Sequence, residues 1–184
     1  GMEGGKAVAS ILFGDYNPSG KLTISFPVHV GQIPVYYNQL PGWHGGKYID
    51  VDKEPLFPFG YGLSYTEYKY SNLRLEKSSL SKDDTLKITV DVENVGKMAG
   101  TEIVQAYVCD LYSSVTTPIK ELKGFARVFL EAGEKKEVAI EIPVSSLALV
   151  NRDLETVVEA GEFELMVGSS SRDQDLLRTS FWII

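Results

Sequence analysis

Leu86-Lys87-Ile88-Thr89-Val90-Asp91-Val92-Glu93 places an apolar side chain at every second position, and Asn94-Val95-Gly96 follows as a turn. A strand turns successive side chains to opposite faces, so this alternation predicts a strand with one face in a core and one in water. The same pattern recurs downstream. Val138, Ile140 and Ile142 alternate with Ala139 and Glu141, and Phe163, Leu165 and Val167 with Glu162, Glu164 and Met166. Ala132-Gly133-Glu134 and Ala160-Gly161-Glu162 supply further turn signals. Additional strands are expected over 68–76, 102–109, 122–130 and 177–183. About seven short strands in about 120 residues is the scale of an immunoglobulin-like antiparallel β-sandwich.

Upstream the character changes. Through Thr66 there are four Lys against five Asp/Glu, and beyond it fourteen Lys/Arg against twenty Asp/Glu. Seven of the 10 Tyr lie between positions 36 and 70, and most of the Pro and many of the Gly lie before Gly62. Ala7, Val8, Ile11 and Leu12 recur at helical spacing, and Gly14 stops the pattern. Leu22, Ile24 and Phe26 alternate with Lys21, Thr23 and Ser25, which predicts a strand ended by Pro27. One helix and one strand bury no core of their own, since the strand leaves both edges unpaired. The pair reads as the last αβ unit of a larger domain. The expected division is a helix–strand remnant over 1–28, an aromatic, Pro/Gly-rich linker over 29–66 and a β-sandwich over 67–184. Exposed Leu22, Ile24 and Phe26 predict association with an upstream domain or a second copy.

Composition excludes several functions. The 184 residues carry a formal net charge of −7, a poor match for nucleic acid or an anionic membrane surface. No apolar run is long enough to span a bilayer, and no basic-then-apolar leader opens the chain, so localisation stays open. One Cys and two His argue against an internal disulfide and a Cys- or His-rich metal site. No P-loop, dinucleotide fingerprint, His-Glu-x-x-His or Gly-x-Ser-x-Gly is present. Asn17-Pro18-Ser19 fails as a glycosylation acceptor because Pro follows the Asn. Cys109 sits in a strand pattern without a local base, and Asp50, Asp52 and Glu54 lack the Gly and distal Glu of a calcium loop. The candidate binding residues are Tyr36, Tyr37, Trp43 and His44. Their rings could stack on the apolar faces of sugars, or could fasten the linker to the domains it crosses.

Several ungapped motifs carry a resemblance over nearly the whole chain. They are Glu3-Gly4-Gly5-Lys6-Ala7-Val8-Ala9, then Leu12-Phe13-Gly14-Asp15-Tyr16-Asn17-Pro18-Ser19-Gly20-Lys21-Leu22, and Phe26-Pro27. Gln32-Ile33-Pro34-Val35-Tyr36-Tyr37-Asn38 and Glu54-Pro55-Leu56-Phe57-Pro58-Phe59-Gly60-Tyr61-Gly62-Leu63-Ser64-Tyr65-Thr66 follow in order. Asn94-Val95-Gly96, Ala99-Gly100, Val104-Gln105, Lys120-Glu121-Leu122-Lys123-Gly124-Phe125 and Gly161-Glu162-Phe163 continue it. Together they resemble the C-terminal part of glycoside hydrolase family 3 β-glucosidases: the end of the α/β sandwich domain and then the fibronectin type III-like domain.

The resemblance implies a parent that hydrolyses terminal β-glycosidic bonds with retention and without a cofactor. Such chemistry needs two carboxyl groups about 5–5.5 Å apart. In the family these lie upstream of the matched segments, in a barrel and in the earlier part of the second domain, and neither motif has a counterpart here. Glu3 opens the helix pattern and matches no acid/base motif, so no catalytic residue is assigned. The expectation is an accessory, structural fragment that does not hydrolyse an aryl β-glucoside alone. The alternatives are a carbohydrate-binding or adhesion module, or a subunit acting in trans with a separate catalytic chain.

Overall fold

A computed structural model describes residues 1–42 and 50–184. Among the described residues ten strands form: β1 (Tyr68–Leu75), β2 (Ser79–Leu80), β3 (Thr85–Asn94), β4 (Gly100–Asp110), β5 (Glu121–Leu130), β6 (Lys135–Pro143), β7 (Leu149–Val150), β8 (Thr156–Val157), β9 (Gly161–Gly168) and β10 (Leu176–Ile183). One sheet has the order β1-β3-β6, the other β2-β10-β9-β4-β5, and β7 and β8 form a small ribbon. The β2–β10 pair is parallel and the other pairs are antiparallel. The seven strands expected for the sandwich are all present. The three two-residue strands are too short to show a period.

The core lies between the two larger sheets. Leu86, Ile88, Val90 and Val92 of β3 are 0–1% exposed, and each buried side chain of this size stabilises the fold by about 1.5–3 kcal/mol. Val104, Ala106 and Val108 of β4 and Leu165 and Val167 of β9 face them from the other sheet. Phe163 and Phe181 are directly paired across β9 and β10, with stacked rings 5.5 Å apart. A bulge sets Tyr107 opposite Leu122 where Ala106 opposes Gly124, leaving Lys123 as the extra residue of β5. Gly124 is small because a Cβ there would come within 2.8 Å of Ile140 on the facing sheet.

Two features depart from the sequence reading. Met166 falls on the nominally wet face of β9, yet is 1% exposed. Its cross-strand neighbour Tyr107 is covered by residues 37 and 59, so chain crossing the outer face of the five-stranded sheet keeps that face dry. The predicted strand over Leu22, Ile24 and Phe26 does not form as a regular element. Instead, residues 22–26 run against 57–61. Leu22 N donates to Tyr61 O, Gly60 N donates to Leu22 O, and Phe26 and Phe57 make a single antiparallel bridge. Lacking a parent sheet, the segment takes its hydrogen bonds from the nearest extended backbone, and Pro58 and Gly60 prevent a continuous ladder.

The helix α1 (Gly4–Leu12) forms where its spacing predicts, and Gly14, at φ +82°, follows it. None of its residues is buried.

Candidate functional site: a strap with one docked and one open face

Residues 14–42 and 50–66 form a strap laid across the sandwich, fixed by polar side chains at a few points. Asn17 joins three segments. Its Nδ2 donates to Ala99 O, and its Oδ1 accepts from Ser64 Oγ and Tyr65 N, each at 2.9 Å. Tyr65 OH in turn donates to Ile11 O at 2.7 Å, tying the helix to the strap. Gln32 is fully buried. Its Oε1 accepts from Val28 N at 2.7 Å and its Nε2 donates to the carbonyls of Asp52 and Glu54 at 3.1 and 2.9 Å, holding the two arms together.

Against the sandwich, Gln105 is the central residue. Its Nε2 donates to Gly60 O at 3.0 Å and Ser169 O at 2.6 Å, while its Oε1 accepts from Tyr107 OH at 2.6 Å. Gly60 adopts φ +78°, and a Cβ there would lie 2.0 Å from Gln105 Oε1. Lys120, 5% exposed, donates to Ser171 O at 3.0 Å and to Asp173 Oδ1. Burial pushes the Asp173 carboxyl up. The Lys120 hydrogen bond and charge, with Arg178 and Lys53, outweigh that and leave it below the usual carboxylate range.

The named linker residues divide. Tyr37 stacks on Phe59 with ring centroids 4.1 Å apart and meets the edge of Tyr107 at 5.9 Å. Its hydroxyl accepts from Leu122 N at 3.3 Å. One face of this ring is therefore occupied by Phe59. Tyr36 is 55% exposed. Trp43 and His44 lie outside the described residues. His29 is exposed, and its Nδ1 accepts from Gly31 N. Burial, with Glu164 and Asp110 adding to it, pushes the Cys109 thiol up, which keeps it protonated and a poor nucleophile. Among the described residues no group of three or more His, Cys, Asp or Glu is arranged to hold a metal ion.

The helix and the other face of the strap are open. Val8, Leu12 and Phe13 are 56, 71 and 85% exposed, and Ile24 and Leu63 are 64 and 70% exposed. Beside the helix lies an apolar groove of about 700 Å³ lined by Ile11, Tyr16, Leu22, Phe57, Tyr61 and Leu63. A soluble monomer rarely leaves so much contiguous apolar surface in water.

Sequence reasoning identified the apolar face but not the polar pins. Asn17 reads as turn chemistry and Gln105 as an ordinary polar strand position. Only the motif resemblance, which includes both, marks their positions.

A two-sheet sandwich carrying a docked strap, with an unsatisfied helix on its far side, defines an accessory β module joined to the end of another domain. Residues 102–171 match the fibronectin type III-like domain, and residues 1–65 match the glycosyl hydrolase family 3 C-terminal domain. The chain is a C-terminal part of a family 3 glycoside hydrolase. It is 47% identical to a β-xylosidase of Formosa agariphila over 186 residues, covering 100% of this chain and 26% of that protein. It is 42% identical to a periplasmic β-glucosidase of Salmonella typhimurium, covering 93% of this chain and 24% of the relative. Among solved structures, a β-glucosidase involved in saponin metabolism from intestinal bacteria superposes with a TM-score of 0.95 at 47% identity, covering 100% of this chain and 25% of that one. The β-glucosidase of Listeria innocua in complex with glucose gives 0.87 at 38% identity, covering 97% and 26%. The chain thus spans about a quarter of the length of the relatives it matches.

Proposed function

We propose that this chain is the accessory, bracing part of an enzyme that hydrolyses terminal β-glucosidic or β-xylosidic bonds. The catalytic carboxylates sit in upstream domains. The observation that carries this reading is the contrast between the two ends. The sandwich has a closed core, whereas α1 has no buried residue and borders an open apolar groove. The proposed division is 1–28 for the end of the upstream domain, 29–66 for the linker and 67–184 for the sandwich. The sandwich holds the strap from one side, and the strap offers its apolar side to the rest of the enzyme. Sugar specificity then resides upstream.

The test is a chimera. A family 3 β-glucosidase whose own C-terminal quarter is exchanged for this chain should fold and turn over an aryl β-glucoside, while the same enzyme truncated before that quarter should not. A truncated enzyme with unchanged turnover and melting temperature would show that the brace is dispensable.

Without an upstream partner, the apolar face should drive the isolated chain to self-associate. Sedimentation velocity should show concentration-dependent dimers or larger species, reduced by Leu12→Asp and Phe13→Asp together. A monomer at every concentration would contradict the assignment of this face.

A further inference from the structure

Glu102 has the same strand parity as Val104, Ala106 and Val108, so its carboxylate points between the two sheets, where the residue is 3% exposed. Its cationic partner comes from the strap. Lys21 Nζ lies 3.1 Å from Glu102 Oε1, and its side chain is 15% exposed. The same oxygen accepts from Tyr70 OH of β1 at 2.7 Å. Burial, with the charge of Glu102, raises the Tyr70 phenol well above its usual range, so it remains a donor. Thr66, Tyr68, Ser170 and Asp175 line the remaining cleft of about 440 Å³, and Lys21 is the only cation on its wall among the described residues. The strap therefore supplies both the counter-charge of this carboxylate and part of the wall that covers it.

We propose that Lys21, Glu102 and Tyr70 form a docking latch, an ion pair that the seated strap both completes and covers. A buried pair gives little net stability over an apolar substitute, but removing one partner is strongly destabilising because the other charge stays buried. The arrangement therefore couples the strap to the sandwich more than it strengthens either, so that the two behave as one body. Leu22 N and Gly60 N, which bond across the strap next to Lys21, should open only together with β4. The latch rests on the bracing reading only for its consequence in a complete enzyme. Its own test lies within the chain, so latch and brace can fail separately.

The experiment is a double-mutant cycle on the full chain, followed by denaturant unfolding and amide exchange. Lys21→Met keeps the apolar stem and removes the charge. It should raise the unfolding equilibrium constant by about 100-fold or more, the range seen for breaking a buried pair. Glu102→Gln leaves an acceptor for Tyr70 and a Lys21 ammonium able to reach water, and should cost less than about 10-fold. The double variant should recover at least about 10-fold over Lys21→Met, and Lys21→Arg should restore the pair. Exchange at Leu22 and Gly60 in the parent should be as protected as in β4, and accelerated selectively in Lys21→Met. A Lys21→Met chain within about threefold of the parent, or singles whose effects simply multiply, would overturn the latch. If Lys21→Met does not fold, rescue by the added Glu102→Gln supports it. If neither folds, unprotected Leu22 and Gly60 amides in the parent would overturn it, and protected ones would sustain it.

Discussion

Phe181→Ala should lower the unfolding free energy by about 3–5 kcal/mol, a large share of the stability of a domain this size. The ring is fully buried in the core and stacks on Phe163, its direct cross-strand partner, at 5.5 Å. It belongs to a core to which both sheets contribute, Leu86, Val90 and Ile142 from one and Val104 and Leu165 from the other. Opposed sheets cannot collapse on a missing ring without breaking their own ladders, so the cavity stays open and its cost adds to the lost transfer energy. The check is the midpoint of urea unfolding at constant m-value. A loss below about 1 kcal/mol would mean that this end of the sandwich repacks freely.

Gln105→Leu should be the second large effect, and of a different kind. The leucine fits the volume, but Gly60 O, Ser169 O and Tyr107 OH each lose a partner at once. Leaving a buried polar group unsatisfied costs about 1–3 kcal/mol, so the expected loss is several kcal/mol, offset in part where water reaches the separated strap. Because the pinned carbonyl belongs to the strap, amide exchange should rise at Leu22 and Gly60 first and reach β3 and β6 last. Gly60→Val attacks the same contact from the other side. It forces a branched residue to φ +78° and sets a Cβ against Gln105 Oε1. If either variant instead loosens the whole sandwich uniformly, strap and sheet are not joined through this contact.

The sandwich is legible because its strands each present one wet face, and Leu86 to Glu93 state that alternation without interruption. The rest is harder to read for physical reasons. Met166 and Tyr107 sit at outward positions that become dry only once another segment covers them, and alternation carries no information about a covering partner. Residues 22–26 have the pattern of a strand, but a strand needs a neighbour, and here the neighbour is an irregular run containing Pro58 and Gly60. Glu102 reads as one acidic residue among many, since the distinction between an inward and an outward carboxylate depends on the register of β4. The absence of catalytic motifs, by contrast, is a statement about spacing and residue types and can be made from sequence alone. From sequence, Tyr37 reads as a ring that could stack on a sugar or fasten the linker. Its stack on Phe59 and its hydroxyl on Leu122 N depend on how the strap crosses the sheet.

The most direct test of the account is turnover by the purified chain itself. Aryl β-glucoside and aryl β-xyloside should be cleaved no faster than in buffer, at any chain concentration and across pH 4–8 (about the span over which paired carboxylates change charge). Saturable hydrolysis that disappears when one Asp or Glu of this chain is replaced by its amide would place the bond-breaking acids here and contradict the assignment of this chain as a brace.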